Sequence, residues 1–153
     1  MFSYLLNQYK HLHWANRKLL SVLSQDGDVL SEAVGLMSHI VSAEHIWLAR
    51  IGGQEEALAP WSRLSVPDCE AYAAANSAGY LNIIAQLDEG RLEESISFKL
   101  TNGTPMTSTL GDILSHVVVH GAHHRGQVAR IIAQNGMEVP AIDYIVYRMQ
   151  SDE

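Results

Sequence analysis

Four of the eight histidines in this 153-residue chain fall within nine residues, as His116-Val-Val-Val-His120-Gly-Ala-His123-His124. Neutral imidazole nitrogen is a good ligand for divalent transition metals, and residues at i and i+4 of a helix stand about 5–6 Å apart. Two such pairs are available here, His116/His120 and His120/His124, and periodicity does not choose between them. Taking about 100° per residue from His120, His116 falls near −40°, Gln127 near −20° and His124 near +40°. Ile113, Val117 and Ile131 share that arc, so these histidines face the side expected to enter the core. His123 lies at the edge of that face, at roughly −60°.

The third ligand has to come from another helix. Around His39, Ile46, Ala43 and Leu36 lie between about −20° and +60°, so His39 also points inward. Glu44 and His45 fall at about +140° and −120°, on the side expected to face solvent, and are set aside as ligands. A lone histidine on an apolar face is ordinarily a hydrogen-bonded core residue, but several on converging faces make a costly core unless something binds them. His39 with either His116 and His120 or His120 and His124 is therefore a candidate site for one divalent ion. Three imidazoles with a vacant position suit zinc, nickel, iron or manganese, and a vacant position is the mark of a reactive site. Tyr9, His13 and Asn16 share one side of the first helix, as donors near the ion, pocket lining, or polar groups satisfied in the interior.

The elements that would position these residues are legible from periodicity. Apolar residues at helical spacing predict a first helix over 3–24, ended by Asp26-Gly27-Asp28, and a second over 29–51, stopped by Gly52-Gly53. Residues 54–66 read as a loop containing Pro60 and Trp61. Ser65 with Asp68 three residues on opens a third helix over 67–89, ended by Gly90. The alternating run 95–101 followed by Asn102-Gly103 predicts a hairpin. Thr109 and Asp112 open a fourth helix running to Asn135-Gly136, and a short helix follows at about 141–149. The pattern is all-α: a single-domain four-helix bundle, with a short hairpin between the third and fourth helices and a small C-terminal helix.

Composition narrows the function. A net charge of −7, from 10 basic and 17 acidic residues, speaks against nucleic-acid binding. No apolar run approaches the roughly 20 residues that span a bilayer. The N-terminal MFSYLLNQYKHLHW lacks the basic start, apolar stretch and cleavage site of a secretory signal. The single cysteine, Cys69, fits a reducing compartment, and a cytoplasmic protein is expected. Two metal motifs fail: Gly121 stands where a zinc-protease helix carries its glutamate base, and no Glu-x-x-His pair of the di-iron carboxylate type occurs.

Three stretches, YKHLHWANRKLL from Tyr9, LMSHIVSAEHIWLAR from Leu36 and LSHVVVHGAHHRGQV from Leu114, resemble the DinB/YfiT-like family of metal-binding four-helix bundles. The likeness covers nearly the whole chain, and the histidine-rich helix ending in His-Arg-Gly-Gln is its most specific part. It implies one ligand at His39 and two at His120 and His124, which leaves His116 and His123 as neighbours of the site. Arg125, at about +140° from His120, is expected to pair outside the core. The resemblance also implies a homodimer. Relatives in the wider superfamily include metal-dependent transferases that join low-molecular-weight thiols to electrophiles. The leading expectation is therefore an enzyme acting on a small molecule, with His13, Asn16 or Gln127 orienting a thiol substrate. Metal-assisted hydrolysis is the second reading, with Asp112 the nearest acidic residue on the fourth helix. A non-catalytic metal-binding stress-response protein is the third.

Overall fold

The computed structural model of the chain describes residues 2–26 and 29–151; positions 27 and 28 of the Asp26-Gly27-Asp28 turn lie outside the described residues. The order is α1 (Ser3–Asp26), α2 (Ser31–Ile51), α3 (Val66–Ala85), α4 (Glu89–Leu92), β1 (Ser95–Lys99), β2 (Pro105–Thr109), α5 (Leu110–Gln134) and α6 (Tyr144–Ser151). The protein is mostly helical, with one small sheet among the described residues. No helix among them is long and apolar enough to cross a membrane.

Local chemistry accounts for most of the boundaries. Ser65 Oγ accepts from the Asp68 amide at 3.2 Å, Asp68 Oδ2 accepts from the Ser65 amide at 3.3 Å, and a proline stands in the first turn of α3. Thr109 Oγ1 accepts from the Asp112 amide at 3.1 Å and opens α5, which ends at Gln134 and is followed by Asn135 and by Gly136 at φ 73°. The third helix is shorter than its apolar pattern predicts. It stops at Ala85, and the Asp88 side chain accepts from the Arg91 amide to start a separate turn, so Gly90 lies inside α4 rather than ending α3. The C-terminal helix begins at Tyr144, three residues later than expected. Strands β1 and β2 pair antiparallel from Ser95↔Thr109 to Lys99↔Pro105, and Gly103 at φ 82° makes the connecting turn.

Helices α1, α2, α3 and α5 pack on one another around two apolar clusters. One contains Leu19, Leu23, Met37, Ile40, Val128 and Ile132; the other contains Tyr9, Leu12, Tyr80, Ile84, Leu114 and Val117. Between them lies a buried polar layer with one member from each long helix: Asn16, Glu44, Asn76 and Arg125, none more than 3% exposed. Asn16 Nδ2 donates to Glu44 Oε1 at 2.9 Å, and Arg125 Nη1 donates to Asn16 Oδ1 at 3.2 Å. Asn76 Nδ2 donates to the Val41 carbonyl at 3.0 Å, and Tyr80 Oη to the Glu44 carbonyl at 2.7 Å.

This layer corrects two expectations. Glu44 and Arg125 were expected to face away from the core, and both are interior. The angular argument treats the direction opposite His39 or His120 as solvent. Helix α2 packs against α5, α3 and α1, and α5 against α2 and α1, so a second direction on each helix is also inside. His45 is half-buried rather than solvent-facing, with Nδ1 3.3 Å from Asn76 Oδ1.

Burial raises the Glu44 carboxyl to about 7, against the opposing pull of Asn16, Arg125 and Asn76. A carboxyl raised above its unfolded value contributes stability that is full at acidic pH and is lost as pH rises through the folded pKa. In chelator-treated protein, urea unfolding should show wild type losing stability relative to Glu44→Gln between about pH 4.5 and 7. The slope should approach about 1.4 kcal/mol per pH unit. Parallel stability profiles for the two proteins would show that Glu44 is ionised throughout.

Candidate metal centre

His39 leaves α2 toward the side covered by α5 and is 7% exposed. The loop between α2 and α3 orients it. Ser38, its chain neighbour, donates to the Ser62 carbonyl and accepts from the Leu64 amide at 3.0 Å, which ties the loop down onto α2. The Pro60 carbonyl then stands 2.6 Å from His39 Nδ1. A carbonyl can only accept, so Nδ1 carries the proton and Nε2 presents its lone pair. Trp61 lies flat against the same imidazole, with centroids 3.8 Å apart and planes 8° from parallel. Trp61 is itself 63% exposed, so the indole roofs the histidine from solvent.

From α5, His120 brings its Nε2 to 3.1 Å from His39 Nε2, and His124 sets its ring 4.7 Å from the His39 ring. His124 Nδ1 stands 2.7 Å from Gln127 Oε1, an acceptor that fixes the tautomer as Pro60 does for His39. The three histidines offer ligand atoms that all lie within 4.8 Å of one another, and the set could hold a metal ion. No carboxylate belongs to that set among the described residues. Burial, with the other histidines adding, pushes His120 down to about 4, and burial also lowers His39 despite the Pro60 carbonyl. Both rings are therefore neutral at pH 7, the state in which imidazole ligates. Metal-ligating histidines characteristically give their second nitrogen to a carbonyl or carboxylate, and two of these three do so to a carbonyl or amide oxygen.

The other candidate residues divide. His116 and His123 are exposed beside the triad, with rings 5.5 Å from His120 and 4.9 Å from His124. His116 therefore does not enter the core as its angle suggested; its ring meets Trp47 at 5.3 Å near the surface. Gln127 is exposed and holds His124. Asn16 belongs to the polar layer. His13 instead lines a separate cleft of about 540 Å³ with Arg17, Leu20, Glu70 and Ala73, where no triad residue is present. Asp112 is exposed at the start of α5, where its amide is capped by Thr109. The Pro60 carbonyl and the Trp61 ring are the features that helical periodicity could not reveal, since both sit on a loop. Their only sequence signal is a Pro-Trp pair facing the histidine-bearing segment across a short connection.

The chain matches the DinB family model over residues 1–153. It is similar to Protein DinB of Bacillus subtilis (strain 168), 23% identical over 167 aligned positions that cover 96% of this chain and 95% of that protein. The chain belongs to the DinB family.

If Gln127 holds the His124 ring for a metal, Gln127→Ala should weaken zinc binding by about 10–100-fold while the helical circular dichroism stays unchanged. Competition titration against a chromophoric chelator measures this. An unchanged dissociation constant would show that the His124 orientation does not depend on Gln127.

Proposed function

We propose that this DinB-family chain is a metal-dependent enzyme that transfers a low-molecular-weight thiol to a small electrophile. In this reading α1, α2, α3 and α5 form a DinB-type four-helix bundle, one domain across the chain, and His39, His120 and His124 hold a divalent transition ion. The observation that carries the proposal is the ligand chemistry: three imidazoles offer ligand atoms within 4.8 Å of one another, with no carboxylate in the set among the described residues. A zinc, nickel, iron or manganese ion bound there keeps its full charge and supplies the Lewis acidity that lowers the pKa of a thiol.

The chain's own residues would then do three things. Pro60 and Gln127 fix the ring orientations of His39 and His124, so the donor set is formed before substrate arrives. Trp61 covers one face of His39 and limits water on that side. His116, whose pKa is lowered by partial burial, stands beside His120 as a neutral ring able to accept the thiol proton. Metal-assisted hydrolysis is the second reading, and its base would also be His116, since the acidic candidates are occupied elsewhere. Glu44 is bonded in the polar layer, and Asp112 is exposed at the opening turn of α5.

The test pairs metal analysis with turnover. Wild type loaded with each candidate ion should conjugate a low-molecular-weight thiol to a chromogenic halogenoarene. His120→Ala should lose the bound equivalent of metal and at least about 100-fold in rate, in keeping with the scale of removing a group essential to the transition state. An undiminished rate in His120→Ala would sink the mechanism. Unfolding of the wild type on metal removal would instead identify an ion that completes the fold.

A further inference from the structure

We propose that the buried layer of Asn16, Glu44, Asn76 and Arg125 positions the metal ligands, by fixing the rotation of α5 against α2 so that His120 and His124 stand opposite His39. The proposal rests on reading the triad as a metal site. A ligand set has to be held within about 0.5 Å and 10–20° of its working geometry, which apolar packing between two cylinders enforces poorly. Each ligand-bearing helix also carries a layer member close in sequence. Arg125 follows His124 directly on α5, and Glu44 lies one helical turn and a residue beyond His39 on α2.

The bonds form a relay that restricts rotation. The Asn16 amide accepts from Arg125 Nη1 and donates to Glu44 Oε1, so one side chain of α1 clamps α5 to α2. From α3, Asn76 and Tyr80 bond the main-chain carbonyls of Val41 and Glu44, within the same stretch of α2 that presents His39. Rotating either helix would break a bond to a buried guanidinium, carboxyl or carbonyl, and leaving such a group unpaired is costly.

Gly121 is the independent sign that the sequence accommodates this clamp. The Arg125 guanidinium folds back over Gly121, and a Cβ at that position would stand 2.8 Å from Nη1. Glycine is a poor helix former, and it sits here in the middle of α5 beside the candidate ligand His120. The missing side chain leaves room for Arg125; nothing about the imidazoles requires it.

Gly121→Ala is therefore the discriminating variant. It alters no ligand and no layer residue, and alanine is the better helix former. We expect at least a tenfold weaker cobalt(II) affinity and a shifted visible cobalt spectrum in Gly121→Ala and in Asn16→Leu. Ile84→Ala, a cavity in the Tyr9–Tyr80 cluster outside the layer, should lose stability but keep the wild-type spectrum. Wild-type affinity and spectrum in Gly121→Ala and Asn16→Leu would overturn the proposal, as would an Ile84→Ala spectrum shifted to the same extent. A second readout needs no metal: imidazole ¹⁵N resonances of His39 and His120, whose Nε2 atoms meet at 3.1 Å, should move in Gly121→Ala. If wild type binds no cobalt, the metal reading falls. The imidazole resonances then decide the positioning role, which moved signals support and unmoved signals refute.

Discussion

A carboxyl group and a guanidinium removed from water lose their hydration, and only geometry inside the protein can replace it. Glu44 and Arg125 are in that position, and much of the architecture follows from satisfying them. Asn16 is placed to accept from one and donate to the other. Asn76 and Tyr80 reach across from α3 to the α2 main chain. Gly121 gives up helix propensity so that the guanidinium has space. The layer divides the interior into two apolar clusters, each of which can pack with aliphatic and aromatic side chains alone. Apolar clusters tolerate sliding and rotation between helices more readily than a set of directional bonds does.

The candidate metal centre lies on the other flank of α2 and α5 and obeys a different rule. Two of its histidines, His39 and His120, are kept neutral by burial and by neighbouring histidines. A structure that buries an acidic group in one place and gathers imidazole donors in another separates two tasks. The buried polar groups specify how the helices meet. A donor set without a carboxylate would leave the charge of a bound cation unmet by the protein.

Much of this was legible before the fold. The i,i+4 spacing of His120 and His124 placed them on one face, and His39 was identifiable from the apolar company of Ile46, Ala43 and Leu36. Caps at Ser65 and Thr109 are local, so the starts of α3 and α5 followed from residues within three positions. The end of α3 was less legible. The Asp88 cap that begins a new turn competes with continued helix, and apolar spacing does not register that competition. Register between the pairs 116/120 and 120/124 could not be read from spacing either. It depends on which turn of α5 lies level with His39.

The sequence by itself determined the helical class, the positions of the long helices, the hairpin and the shared face of His120 and His124, because each of these depends on residues near one another in the chain. Tertiary structure decided what covers each face. An angle measured around one helix says which residues point the same way, but the number of helices packed against it decides whether the opposite direction is solvent. That is why Glu44 and Arg125 were misplaced and why the Pro60 carbonyl and the Trp61 ring were missed. The first two are buried by neighbours distant in sequence. The last two reach His39 through a loop whose path is set by Ser38 bonding to residues more than 20 positions away.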